Sequence, residues 1–73
     1  MNECFDFTIN LSKQKTEQIY RGQAKYLLVV TDDGLKLQFP IGNFRAFVSE
    51  QGIQGRFRAE TDERHRLLKL EKL

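Results

Sequence analysis

The chain opens with apolar and polar residues in alternation. The apolar positions are Phe5, Phe7, Ile9 and Leu11, each separated from the next by one residue. A period of two is typical of a strand that buries one face. The pattern therefore predicts a first β-strand.

A short helix is predicted over about residues 13 to 21. Ser12 can accept a hydrogen bond from the first turn as an N-cap, and Glu17 and Arg21 lie one turn apart and can pair. Gly22 suits the left-handed conformation that ends many helices. These signals place both ends of the helix.

Residues 24 to 31 are rich in β-branched and aliphatic side chains, which predicts a second strand. Asp33-Gly34 is read as a two-residue hairpin turn, because glycine tolerates the positive φ that such turns require. Pro40 cannot donate to a strand ladder and is expected to end the third strand.

The turn sets the register of this hairpin. Pairing Asp32 with Leu35 directs two opposed pairs, Leu28 with Phe39 and Val30 with Leu37, towards the core. Leu27 and Val29 on the other face are apolar too. We therefore expect the second strand to be central and covered on both sides.

Phe44, Phe47 and Val48 have the spacing of one helical face, with Asn43 as a candidate cap. Phe44, Ala46 and Val48 also alternate as in a strand, but a short helix is favoured. The segment Gly52-Ile53-Gln54-Gly55 is expected to be a loop.

A last hairpin is predicted from residues 56 to 61 and 67 to 73. Phe57 and Ala59 should share an inward face with Leu68 and Leu70, and Phe57 and Leu70 should lie in the core.

Charge selects the loop of this hairpin. A four-residue loop, Glu63 to Arg66, puts Arg58 opposite Glu71 and Glu60 opposite Lys69. A tighter loop would oppose like charges, which is destabilising, so the longer loop is expected.

These elements predict one α+β domain over residues 1–73, in the order strand, helix, hairpin, short helix, hairpin. About five mostly antiparallel strands are expected, in a twisted sheet or a small, partly open barrel. A chain of 73 residues has room for one small core.

The compartment is read from three features. Cys4 is the only cysteine, so no disulfide can close within the chain, and a reducing, cytoplasmic setting is expected. The acidic N-terminus lacks the pattern of a signal peptide. The longest apolar run, Tyr26 to Val30, is far shorter than the about 20 residues of a membrane-spanning helix.

Few residues could carry chemistry. His65 is the only histidine and Cys4 the only thiol, so no standard zinc site is expected, and no cofactor motif is present. Ser12 is explained as a cap and Asp32-Asp33 as turn residues. An enzyme is therefore not expected, nor a metal or a cofactor.

The GxxG string of residues 52 to 55 matches the loop with which KH domains clamp nucleic acid. That loop joins two helices, whereas this one leads into a strand. The match is therefore weak, and turn geometry is sufficient to explain the two glycines.

One surface suggests a nucleic-acid partner. The net charge is only +2, but a basic patch is expected on the outward face and the loop of the last hairpin. Its candidate residues are Arg56, Arg58, Arg64, Arg66 and Lys69. Four aromatics, Tyr20, Tyr26, Phe44 and Phe47, could stack on bases. Against this, Glu60, Asp62, Glu63 and Glu71 interleave with the cations, as on a solvated surface.

The hairpin from Tyr26 to Phe39, the string Gly52-Ile53-Gln54-Gly55-Arg56-Phe57-Arg58 and the ending Leu70-Glu71-Lys72-Leu73 resemble a family of short bacterial proteins, domain of unknown function 2835. The resemblance covers nearly the whole chain. It implies a free-standing bacterial cytoplasmic protein and brings no activity, cofactor or functional residue.

The sequence thus favours a small non-enzymatic module that binds a protein partner or its own copy. A nucleic-acid-binding module that uses the basic hairpin face is the alternative.

Overall fold

The computed structural model describes residues 1–22 and 24–73. Five strands, one α-helix and one 3₁₀ helix follow in the predicted order, which confirms the α+β class. They are β1 (Glu3–Leu11), α1 (Lys13–Arg21), β2 (Tyr26–Val30), β3 (Lys36–Pro40), the 3₁₀ helix (Ile41–Phe47), β4 (Ile53–Thr61) and β5 (Leu67–Lys72).

The strands form two antiparallel sheets. One has the order β1-β4-β5, and the other is the β2-β3 hairpin. The sheets meet at a bridge between Phe7 and Thr31, beside which the Asp32 amide donates to the Asp6 carbonyl at 2.9 Å. Within the described chain the strands do not close into a barrel.

Phenylalanine rings form the centre of the core. The buried Phe57 ring stacks on Phe7 at 6.0 Å between centroids, and the rings of Phe44 and Phe47 meet it edge-on at 6.2 and 5.2 Å. Phe39 packs against Phe7 from the second sheet. One ring cluster thus holds the two sheets and the 3₁₀ helix together.

The predicted register of the β2-β3 hairpin is wrong by one residue. Leu27 pairs with Phe39 and Val29 with Leu37, and these side chains enter the core. Because side chains alternate along a strand, the shift turns Leu28 and Val30 outward. Contrary to the expectation, β2 is therefore covered on one side only.

The cause of the shift is a three-residue loop, Asp32–Gly34. The hairpin closes on Thr31, whose amide donates to the Leu35 carbonyl at 2.8 Å and whose hydroxyl accepts the Leu35 amide at 3.1 Å. Gly34 takes a positive φ of 85° at the end of the loop.

The start of α1 is confirmed, since the Ser12 hydroxyl accepts the Lys15 amide at 3.1 Å. Its end differs from the prediction. Gly22 has a φ of −79° and an extended backbone, while its amide donates to the Gln18 carbonyl. Glu17 and Arg21 form no ion pair, and an exposed pair of this spacing would add only about 0.3 to 0.5 kcal/mol.

The helix predicted around Phe44 is present, in 3₁₀ form. Its three-residue turn aligns Phe44 with Phe47 towards the core and leaves Val48 beyond the helix and exposed. Asn43 lies inside this helix rather than at its start, and its side chain donates to the Pro40 carbonyl at 3.4 Å.

The loop predicted over residues 52 to 55 is mostly strand. Only Gly52 belongs to the turn, which hydrogen bonds between Ser49 and Gly52 close, and β4 begins at the fully buried Ile53. Gly55 lies within β4 at a φ of 135°, beneath the aliphatic stem of Lys72.

In the last hairpin, Arg58 faces Glu71 and Glu60 faces Lys69, as predicted. Phe57 is fully buried and Leu70 is partly buried against the core. The predicted four-residue loop is wrong, because a bulge beside Thr61 pairs that residue with Leu67 and leaves residues 62 to 66 between the strands. The bulge also takes Leu68 out of the inward row. Leu68 is therefore exposed, contrary to expectation.

Candidate functional site

The five predicted basic residues lie on β4, β5 and the loop between them. Arg56 and Arg58 alternate with buried residues of β4 and point outward, as does Lys69, which pairs with the outward Glu60. Arg64 and Arg66 are loop residues. Carboxylates stand close to most of these cations.

Arg56 is engaged with the second sheet. Its guanidinium donates to both carboxylate oxygens of Asp32, at 2.8 and 2.6 Å, and to the Thr8 hydroxyl at 3.1 Å. This hydrogen bonding lowers the pKa of Asp32 and raises that of Arg56. Arg56 therefore links β4 to the tip of the β2-β3 hairpin.

Arg58 makes a similar fork to β1. It donates to the two Asp6 oxygens at 2.8 and 3.0 Å, and this interaction lowers the pKa of Asp6. The paired carboxylates, Asp6 and Asp32, come from distant parts of the chain. No local signal in the sequence identifies them as partners of β4.

The loop before β5 is organised by Asp62. Its carboxylate accepts the backbone amides of Arg66 and Arg64 at 2.9 and 2.8 Å, and Arg66 Nε at 3.0 Å. These bonds lower the pKa of Asp62. Lys69 Nζ lies 4.0 Å from Glu71. Of the five predicted basic residues, only Arg64 has a side chain without an ion-pair partner among the described residues.

A second surface runs along β2. Tyr26, Leu28 and Val30 point outward in a row and are 57%, 55% and 51% exposed. We call these three residues the β2 stripe. Sequence reasoning missed the stripe because it placed Leu28 and Val30 in the core. The signal was available in Thr31-Asp32-Asp33-Gly34-Leu35, which suits a three-residue loop with glycine last.

A cleft separates β2 from β1. Beyond the bridge between Phe7 and Thr31 the two strand edges diverge, and no further pairing joins them within the described residues. The space is about 230 Å³ and is lined by residues 8–11 and 27–30. We call it the β1-β2 notch.

Backbone alternation shows which groups face the notch. Hydrogen bonds join Thr31 to Leu35 and Lys25 to Ile41 at the two ends of the β2-β3 hairpin. In this alternation the odd-numbered residues of β2 bond to β3, so the even-numbered Leu28 directs its N–H and C=O away from β3. On β1, the Asp6 carbonyl bonds towards β2. Asn10 lies four residues after Asp6 on the same strand, so its backbone N–H and C=O also point to the notch.

The family model of proteins of unknown function DUF2835 matches residues 3–73. The chain belongs to the DUF2835 family. The comparisons found no similar curated protein and no similar solved structure.

A third surface of this DUF2835 protein is a shallow groove between α1 and the 3₁₀ helix. It offers about 470 Å³ where Lys13, Thr16 and Glu50 line it, and it continues towards Tyr20 and Arg45. The Tyr20 hydroxyl donates to the Ile41 carbonyl, and the Arg45 guanidinium lies over the Tyr20 ring. Burial raises the pKa of Tyr20.

The remaining reactive side chains are scattered. Cys4 is exposed at the start of β1. His65 packs edge-on against Phe5, with Nε2 3.8 Å from a Glu3 carboxylate oxygen. Within residues 1–22 and 24–73 of this DUF2835 protein, no three His, Cys, Asp or Glu side chains gather as metal ligands. None of its described helices has the length and apolar character needed to cross a membrane.

Proposed function

We propose that this DUF2835 protein is a small non-enzymatic binding module that recognises a polypeptide partner through the β2 stripe and the β1-β2 notch. One observation carries the proposal: three successive outward side chains of β2 are apolar and more than half exposed, beside a strand edge that pairs with no other strand in the described part of the chain. Isolated exposed apolar residues are ordinary, but a contiguous row marks an interaction surface.

The size of the surface favours a segment of another protein over a second copy. Stable dimers bury about 800 Å² on each partner. Three half-exposed side chains offer a few hundred Å². Hydrogen bonds to a free strand edge would add affinity that a face-to-face dimer does not gain.

A non-catalytic role is supported by the dispersal of the reactive groups. Cys4 and His65 lie on separate elements, and His65 is occupied with Phe5 and Glu3. The groove beside α1 holds charged and apolar side chains in a shallow, open setting. We also propose the bacterial cytoplasm as its location, since the lone Cys4 suits a reducing compartment.

Nucleic-acid binding through the basic hairpin face is the weaker candidate. Arg56, Arg58 and Arg66 each donate to a carboxylate, so a phosphate would have to compete with Asp32, Asp6 and Asp62. If this face binds, Arg64→Gln should flatten the dependence of log affinity on log salt by about one contact, roughly 0.7 to 0.9. Labelled single-stranded and duplex probes in a salt series measure that slope.

The test of the binding function is differential capture from the native cell extract. Leu28→Lys places a charge in the β2 stripe, while Leu68→Lys makes the same change at a similarly exposed leucine of β5. We expect wild type and Leu68→Lys to retain the same proteins, with and without nuclease, and Leu28→Lys to lose them. Equal capture by both variants would remove the β2 stripe from the function.

A further inference from the structure

We propose that the β1-β2 notch receives an extended segment of the partner, which adds as a strand between Asn10 and Leu28. Strand addition rests on the binding function proposed above and names the form that the partner takes. It is carried by the backbone geometry of the notch, by the side chains that line it and by the charges at its ends.

The notch is shaped for a polypeptide backbone. Continuing the antiparallel register from the bridge at Phe7 and Thr31 would set Asn10 opposite Leu28, but the strands have diverged by then. Each of these residues directs an N–H and a C=O into the space between the strands. An inserted strand can satisfy both edges, as in other complexes formed by β-augmentation.

The side chains suit a strand of alternating apolar residues. Inward positions would meet Ile9 and Val29, which already belong to the core, while outward positions would lie level with Leu28. A strand inserted here would thus extend the core and the β2 stripe at once. Since β2 has five residues, the matching segment spans about 17 Å at roughly 3.3 Å per residue.

Charge specifies the ends of the segment. Lys36 lies opposite Val30 on the same outward face, and Lys25 precedes the other end of β2. Neither lysine has an ion-pair partner among the described residues. The partner is therefore an extended, apolar segment flanked by acidic residues, since a complementary charge at each end would favour binding.

Two proline variants separate this edge from the rest of the hairpin. Leu28 and Gln38 are directly opposed in a pair without mutual hydrogen bonds, so the Leu28 amide faces the notch and the Gln38 amide faces the far edge of β3. Leu28→Pro removes the donor at the notch. Gln38→Pro is the control for the effect of a proline on the hairpin, because it removes a backbone donor at the opposite edge.

The probe is a pool of blocked ten-residue peptides with Val, Ile, Leu or Thr at alternate positions and Glu at both ends. Amide NMR of the full chain should show shifts and slowed hydrogen exchange at Asn10 and Leu28. Leu28→Pro should weaken binding by at least about five- to tenfold, because it removes one hydrogen bond and the Leu28 side chain, and Gln38→Pro should not. A pool carrying N-methyl groups on alternate peptide nitrogens should fail to bind the wild-type protein.

Three results would overturn strand addition: no binding of the pool at millimolar concentration, equal binding of the N-methylated pool, or shifts confined to the groove beside α1. Sedimentation that shows a dimer broken by Leu28→Lys would make a second copy the occupant and would also overturn it. If Leu28→Lys loses the captured proteins while peptide binding ignores the backbone changes, the binding function stands and strand addition alone fails.

Discussion

Arg56 on β4 donates two hydrogen bonds to Asp32, 24 residues earlier at the tip of the β2-β3 hairpin. The neighbouring Arg58 donates two more to Asp6 of β1, whose carbonyl accepts the Asp32 amide. These contacts fasten the second sheet to the first at one end. Beyond that point β1 and β2 diverge into the notch.

Acid should loosen this fastening. Hydrogen bonds from Arg58 and Arg56 lower the pKa values of Asp6 and Asp32 in the folded protein. The two ion pairs therefore stabilise the fold fully above the unfolded-state pKa of the carboxyls, near 4. This stabilisation is lost as the pH falls through the lower folded-state pKa values. We expect the melting temperature to fall between pH 4 and pH 2. The double variant Asp6→Asn with Asp32→Asn should be less stable at pH 7 and should lose less on acidification. Parallel acid profiles for the two proteins would contradict this.

Phe57 should be the most costly side chain to truncate, because three other rings contact it in the core. Phe57→Ala should lower the free energy of unfolding by about 3 to 5 kcal/mol. Urea melts measure the loss. Leu68→Ala, at an exposed position of β5, is the control and should change stability by less than about 0.5 kcal/mol. A loss below about 1 kcal/mol for Phe57→Ala would place this ring outside the core.

Gly52 should not tolerate a side chain. Its φ is 98°, and a Cβ there would overlap the Leu11 carbonyl oxygen at the end of β1. Gly52→Ala should destabilise the domain by more than about 2 kcal/mol, since backbone strain adds to the steric clash. The matched change, Gly42→Ala, meets no atom within 4 Å and should be nearly neutral. Similar thermal melts for both variants would show that β4 does not approach Leu11 so closely.

The hydroxyl of Thr61 should contribute nothing to the stability of the domain. The residue is fully buried and its Oγ1 has no hydrogen-bond partner among residues 1–22 and 24–73. Thr61→Val therefore replaces an unsatisfied polar group by a methyl of similar shape. We expect unchanged stability or an increase of up to about 1 kcal/mol. The control is Thr31→Val, which removes the hydroxyl that accepts the Leu35 amide and should destabilise by about 1 kcal/mol. If urea melts show that Thr61→Val loses more stability than Thr31→Val, the Thr61 hydroxyl is not an unsatisfied group.

Local patterns were sufficient to predict the elements and their order. Alternation from Phe5 to Leu11 identified β1, and the Ser12 cap identified the start of α1. The opposed charges of Arg58 and Glu71 selected the correct pairing in the last hairpin. Each of these signals lies within one element or one hairpin, where a few neighbouring side chains decide the free energy.

The register of the β2-β3 hairpin could not be settled in that way. Tyr26 to Val30 is apolar at every position, so either face of β2 could enter the core. The deciding contacts are the closure of the loop on Thr31 and the packing of Phe39 against Phe7. The second contact joins residues in different sheets, and no periodicity within one segment reports it.

The candidate site also combines features set by local patterns with features set by contacts between the two sheets. Alternation along single strands was enough to predict an α+β domain with outward cations on β4 and β5, because alternation is a local property. Two features come from the packing of the two sheets: Asp32 and Asp6 pair with Arg56 and Arg58, and Leu28 is exposed beside an open strand edge. These features depend on how the two sheets meet, and that meeting is fixed by contacts between residues far apart in the chain.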